Sequence, residues 1–192
     1  MAYFSVLFVI VIFVIVIERL WETFLSNKSQ DEGIIENRWT LWGLTFTYGL
    51  INLFSLLEYF IVNRKIDYLI SALGFCLVAM AFWGRYYSIK SLGRFHSINI
   101  EVKKGHLLIR NGLYRYIRHP YYLSIMFEVS GITLFANAFY TFCFALVTYI
   151  PLVFIRIALE EAMMINNIGK DYLAYKAEVN AFFPNIKKGN KI

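Results

Sequence analysis

Cysteine, histidine and proline are scarce in this 192-residue chain, which has two, three and three of them. Two cysteines exclude a disulfide scaffold and a Cys-rich zinc module. Three histidines are too few for a histidine-rich membrane diiron enzyme, and His96, His106 and His119 form no i, i+4 metal pair, so no metal site is expected. So little proline excludes a Pro-rich disordered chain. The patterns GxGxxG, GxxxxGK[ST] and GxSxG are absent, so the usual soluble nucleotide and hydrolase sites are missing. Charge is sparse too, at 17%, against about 25% in ordinary soluble domains. With 59% hydrophobic residues, this is the composition of a membrane protein.

Five apolar stretches predict an all-α polytopic fold. They run from Tyr3 to Leu25, Trp39 to Val62, Tyr68 to Tyr87, Tyr121 to Ala136 and Phe139 to Ile155. The last two are joined at Asn137, so they form an antiparallel hairpin. Arg156 to Val179 mixes apolar and charged residues around Gly169 and predicts two helical pieces along the membrane face. The chain divides at residue 88 into three N-terminal spans and a C-terminal part, 89–192, with a basic loop, the hairpin and a terminal helix.

The net charge of +6 falls mostly on one side. Arg85 to Arg118 carries eight basic residues and the tail five more, whereas Arg64 and Lys65 are alone opposite. The positive-inside rule then places the long loop and the C-terminus in the cytoplasm. The charge is a topology signal, and no nucleic-acid partner is expected.

His106 to Tyr122, HLLIRNGLYRYIRHPYY, is the stretch richest in chemistry. Arg110, Arg115 and Tyr116 are ordinary boundary anchors. Pro120 suits the first position of the fourth span, which leaves His119 at a helix N-terminus where an anion is favoured. Arg156 and Glu160 lie i, i+4 on one helix face and are an ion pair or a functional pair. Glu161 points a quarter-turn away and reads as solvated or supporting. Glu128 is an intramembrane carboxylate, hence either functional or paired with another span. Glu58 reads as interfacial, and Cys76 and Cys143 as small core residues.

GLYRYIRHPYY, a short hairpin, RIALEE, GKDYLAYKAEV and a final FP follow one another over about residues 90 to 186. In that order and spacing they resemble the isoprenylcysteine carboxyl methyltransferase and phospholipid methyltransferase superfamily of membrane enzymes. The resemblance implies S-adenosylmethionine bound between the last two spans and the C-terminal helix, facing the cytoplasm. By motif, it assigns the cofactor to Asn99, His106, Leu107, Leu108, Ile109, Tyr114, His119, Pro120, Tyr121, Tyr122 and Glu160. Arg156 would face the methyl-accepting group, with Glu128 as a second substrate contact and Arg156 and Glu160 as the catalytic pair. The acceptor would be a lipophilic molecule reached from the bilayer and methylated on a carboxylate or hydroxyl. Ser124, Ile125 and Glu128 stand where the prenylcysteine enzymes have a glycine and tryptophans, which sets this acceptor apart from a farnesylated peptide. The alternatives are an NADPH-dependent sterol-type membrane reductase and a non-enzymatic scaffold. The reductase's RHxNY-like pattern is missing, since Tyr121 replaces the asparagine.

Overall fold

A computed structural model of the chain describes residues 2–22, 34–36, 38–62, 65–93, 100–102 and 108–184. Five long helices appear where the apolar stretches predict them: α1 (Ala2–Leu20), α2 (Arg38–Ile61), α3 (Tyr68–Leu92), α4 (Pro120–Phe135) and α5 (Phe139–Ile168). A 3-10 turn at Gly112–Arg115 precedes α4, and α6 (Lys170–Glu178) follows α5. The fold is helical, with a three-residue antiparallel ribbon of β1 (Ile34–Glu36) and β2 (Ile100–Val102) that hydropathy did not announce. Four helices, α1, α2, α3 and α5, are long and apolar enough to cross a membrane, and the chain is an integral membrane protein.

The fifth, α4, has 16 residues and is about 24 Å long, short of a bilayer core of about 30 Å. It is also the most enclosed, with buried residues from Pro120 to Phe135 on every side. Gly74 of α3 and Gly131 of α4 let these two backbones meet: a Cβ on Gly74 would come within 2.7 Å of the Gly131 carbonyl, and one on Gly131 within 2.8 Å of Gly74. Close approach through small residues is how membrane helices gain packing without a hydrophobic drive. Leu44 and Ile51 of α2 join Tyr122, Ile125 and Val129 of α4 and Tyr149 and Val153 of α5 in one core. Phe8, Ile12 and Ile15 of α1 join Val78, Ile132 and Phe135 in a second. Both cores run across the boundary at residue 88.

Three expectations are corrected here. The piece starting at Arg156 is not separate, because α5 runs unbroken through Pro151 and past Ile155 to Ile168. Its charges interrupt the hydropathy but not the helix. Only at Gly169, φ 68°, does the chain turn into α6. Cys76 and Cys143 are exposed rather than in the core, since a bilayer accepts small apolar side chains on the outer face of a span. Glu58 is buried rather than interfacial: its carboxylate accepts from the backbone N–H groups of Tyr140 at 3.1 Å and Thr141 at 2.8 Å, capping α5. Those N–H groups have no partner within the helix and carry the positive end of its dipole.

The same end of the bundle holds the α3 start. The Asp67 N–H donates to Asn137 Oδ1 at 2.9 Å, and Asn137 Nδ2 to Ser71 Oγ at 2.7 Å. Asn137 adopts φ 54°, which asparagine tolerates better than most side chains. The opposite end gathers the C-termini of α1 and α3, the start of α2 and α4, and the last turns of α5.

Candidate functional site

At that opposite end a cavity of about 400 Å³ opens, lined by residues from α1, α2, α3, the 3-10 turn, α4 and α5. Its polar wall holds Arg118, His119, Tyr121, Tyr122, Arg156 and Glu160, and its apolar wall Val16, Leu20, Leu41, Leu44 and Ile125. Of the residues expected to carry the site, Tyr114, His119, Tyr121, Tyr122, Arg156 and Glu160 are thus brought together. Leu108 and Ile109 are half-buried and Pro120 is buried at the start of α4, and none of the three lines the cavity. Asn99, His106 and Leu107 lie outside the described residues.

Arg156 and Glu160 share one partner. The Tyr122 hydroxyl donates to Glu160 Oε2 at 2.5 Å and accepts from Arg156 Nε at 3.2 Å. Arg156 Nη1 donates to Thr40 Oγ1 at 2.8 Å. A buried guanidinium is thereby fixed against α2 and α4 while still lining the cavity. Its orientation is set before any ligand arrives.

Pro120 does occupy the first position of α4. The anion that His119 meets there is Glu161, whose Oε1 lies 2.9 Å from His119 Nε2. Of the two readings left open for Glu161, solvated or supporting, the structure shows the second: it is buried and is the hub of the next layer. Arg118 reaches its Oε1 at 2.9 Å and Lys176 its Oε2 at 2.6 Å. Arg118 also donates to the carbonyls of Lys176, at 3.0 Å, and Val179. The backbone N–H groups of Arg118 and His119 bond the carbonyls of Asn180 and Ala181 at 2.9 and 3.0 Å. The segment after α6 is thus stitched to the start of α4.

From the other side, Tyr175 of α6 donates its hydroxyl to the Tyr114 carbonyl at 2.6 Å. Burial pushes the Tyr175 hydroxyl up to about 12, ahead of the opposing pull of Arg118 and Arg110, so it stays a donor at neutral pH. Burial, with Glu160 nearby, also holds the Tyr114 phenol well above its ordinary value. Arg110 adds a bond to the Asp171 carbonyl at 2.9 Å, so one expected anchor ties α6 to the site.

Glu128 does not line the cavity; two residues that hold it, Arg19 and Tyr48, do. Arg19 grips its carboxylate with Nε at 3.0 Å and Nη2 at 2.8 Å, a bidentate fork. Tyr48 and Arg85 donate to it as well. Arg85 also reaches Glu18, and the Tyr121 hydroxyl donates to Glu22 at 2.7 Å. This buried cluster binds α1 to α2, α3 and α4 and sets one wall of the cavity. The sequence assigns no site role to Arg19, Arg118, Thr40, Tyr48 or Asn52, all of which line the cavity or hold a residue that does. Arg19 and Arg118 carried a usable signal, each sitting near other charged residues at the end of an apolar stretch. Thr40 and Tyr48 carried none.

A model of the Isoprenylcysteine carboxyl methyltransferase (ICMT) family matches residues 72–166, a stretch that includes α4, most of α5 and the cavity residues Tyr114 to Glu160. A protein-S-isoprenylcysteine O-methyltransferase of Schizosaccharomyces pombe is 33% identical over 125 residues, 61% of this chain and 50% of that one. An uncharacterized protein of Haemophilus influenzae is 33% identical over 95 residues, 49% of this chain and 55% of that one. These matches span about half the length of both relatives. Protein-S-isoprenylcysteine O-methyltransferase A of Arabidopsis thaliana is 29% identical over 149 residues, 73% of this chain and 75% of that one. With the RHPYY start of α4, the tight hairpin and the Arg156 and Glu160 pair on one cavity wall, these matches support a place for the chain in the isoprenylcysteine carboxyl methyltransferase superfamily.

Proposed function

We propose that this protein is a membrane methyltransferase that transfers the methyl group of S-adenosylmethionine to a lipophilic acceptor, on a carboxylate in the first instance and otherwise on a hydroxyl. The observation that carries the proposal is the Arg156, Tyr122 and Glu160 chain on the wall of the 400 Å³ cavity. The relatives named as isoprenylcysteine O-methyltransferases support it.

The residues present suit the cofactor. Glu160 offers a carboxylate, and Tyr114, Tyr121 and Tyr122 offer aromatic faces to a cation and a nucleobase. When bound, S-adenosylmethionine supplies a methyl group already activated by its sulfonium. The protein has then to orient the acceptor and exclude water. Arg156 holds an acceptor carboxylate by charge-assisted bonds, with Thr40 and Tyr122 fixing its plane. A carboxylate needs no base. A hydroxyl acceptor would need one, and Glu160 is better placed than Glu128, which is held by two arginines.

Purified protein in detergent is expected to bind S-adenosylhomocysteine with a micromolar Kd, about −8 kcal/mol. His119→Ala and Tyr122→Ala should each weaken it about tenfold or more in a calorimetric titration. Tight NADPH binding with no response to S-adenosylhomocysteine would instead favour a reductase, and unchanged affinity in both variants would remove this cofactor site.

The same proposal places the cavity end at the cytoplasm, where the cofactor is made, in keeping with the distribution of basic residues. With Cys76 and Cys143 replaced by alanine, Lys65→Cys should be labelled by an impermeant thiol reagent on intact cells and Lys170→Cys protected. Both lysines are exposed. The reverse pattern would put the site on the side without cofactor.

A further inference from the structure

The apolar part of the cavity ends on α2 at an amide whose oxygen has no hydrogen-bond partner. Leu41, Leu44, Thr45, Tyr48, Gly49 and Asn52 line it along one face of that helix. Asn52 is 5% exposed, its Nδ2 donates to the Tyr48 carbonyl at 2.9 Å, and its Oδ1 has no hydrogen-bond partner. The bond to a carbonyl fixes which amide atom is which, because a flipped amide would set two oxygens against each other. Three residues on, and so on the same face, Ser55 is fully buried and its Oγ is also unpartnered. Among the described residues these are the two buried side-chain polar atoms without a partner. Asn52 lines the cavity, and Ser55 lies one turn further along α2.

An acceptor buried without a partner keeps its full desolvation cost, and a bilayer holds no water to relieve it, so it marks a place where a partner is supplied. Thr40, which holds Arg156, lies twelve residues before Asn52, about 18 Å along the helix axis.

We infer that Asn52, backed by Ser55, is a specificity residue for an acceptor with two polar ends: a carboxylate at Arg156 and a hydroxyl or amide N–H about 18 Å away along an otherwise apolar chain, donated to Asn52 Oδ1. The inference rests on the proposed acceptor end at Arg156 and names the class of lipid it takes. A plain hydrocarbon tail fills the same length but leaves Asn52 Oδ1 unpaired, and a site built to hydrogen-bond a substrate group rejects the analogue that lacks it.

The test uses hexadecanoate and 16-hydroxyhexadecanoate as probes, with octanoate and 8-hydroxyoctanoate as a pair too short to reach. Binding is measured on the full chain in detergent, without cofactor, and methyl ester formation separately with S-adenosylmethionine. Wild-type protein is expected to bind the long hydroxy acid at least about tenfold tighter than the plain acid, with no such preference in the short pair. Asn52→Leu, close in volume, should remove that preference, and the ratio of ratios cancels the differing partition of the two lipids into detergent. Arg156→Ala should weaken both long acids alike. No preference in the wild type, or one that survives Asn52→Leu, would overturn the inference, and would mean that buried water satisfies the pair. Because the wild-type comparison needs no variant, a poorly folded Asn52→Leu does not shelter the idea. A hydroxyl preference in binding without methyl ester formation would fault the methyltransferase proposal and leave the polar end at Asn52 standing.

Discussion

Arg156→Ala is expected to lower kcat for methyl transfer by about 10²-fold or more while leaving the Kd for S-adenosylhomocysteine within about twofold. The magnitude is that of losing one preorganised charged donor aimed at the reacting group. Glu160→Gln should do the opposite, weakening the cofactor by about tenfold and slowing turnover mainly through that loss. The separation follows from position: Arg156 is tied through Thr40 to α2, the helix that supplies Leu41 and Leu44 to the apolar wall. Glu160 lies one turn later, facing Tyr122 and the turn that carries Tyr114. If the two were merely an ion pair at a helix end, each change would cost about 0.3–0.5 kcal/mol of stability and leave activity intact. Equal small effects of both changes on binding and on rate would end the assignment. Initial rates with saturating cofactor, alongside calorimetry, read the two quantities apart.

That pair was legible because its residue types and its i, i+4 spacing can be read without knowing what surrounds them. The same holds for the α4 and α5 hairpin, where an apolar run, one turn residue and a second apolar run leave few topologies. What could not be read is whatever depends on a distant partner. Whether Glu161 is solvated or supporting stays open in the sequence because the three groups that bury it come from positions 118, 119 and 176. The end of α5 was placed four turns early, since hydropathy sees Arg156, Glu160 and Glu161 as charges and not as groups already paired. Glu58 was misread for the same reason: its partners are backbone N–H groups some eighty residues away. Lipid-facing and core-facing positions are both apolar in a span, so Cys76 and Cys143 gave no sign of which way they point.

The Arg19, Arg85 and Glu128 cluster is the clearest such case, and it yields the largest expected effect on stability. Glu128→Gln should destabilise the protein by about 3 kcal/mol, the lower end of the range for breaking a buried pair. Glu128 is fully buried and is held by both arginines, so its loss leaves two guanidinium groups short of a partner in a low-dielectric interior. The cost is held to the lower end because Glu18 and Glu22 remain to balance them. Arg85→Met alone should cost less than Glu128→Gln, since Glu128 keeps the Arg19 fork, and the double variant should cost less than the sum of the two. Thermal unfolding in detergent measures all three. A direct contact between Glu128 and the acceptor predicts another pattern, with KM raised several-fold and thermal stability unchanged. Stability lost in Glu128→Gln with KM rising only as Tyr48 and Tyr121 loosen would assign Glu128 to positioning the cavity wall. Full stability would return it to the substrate.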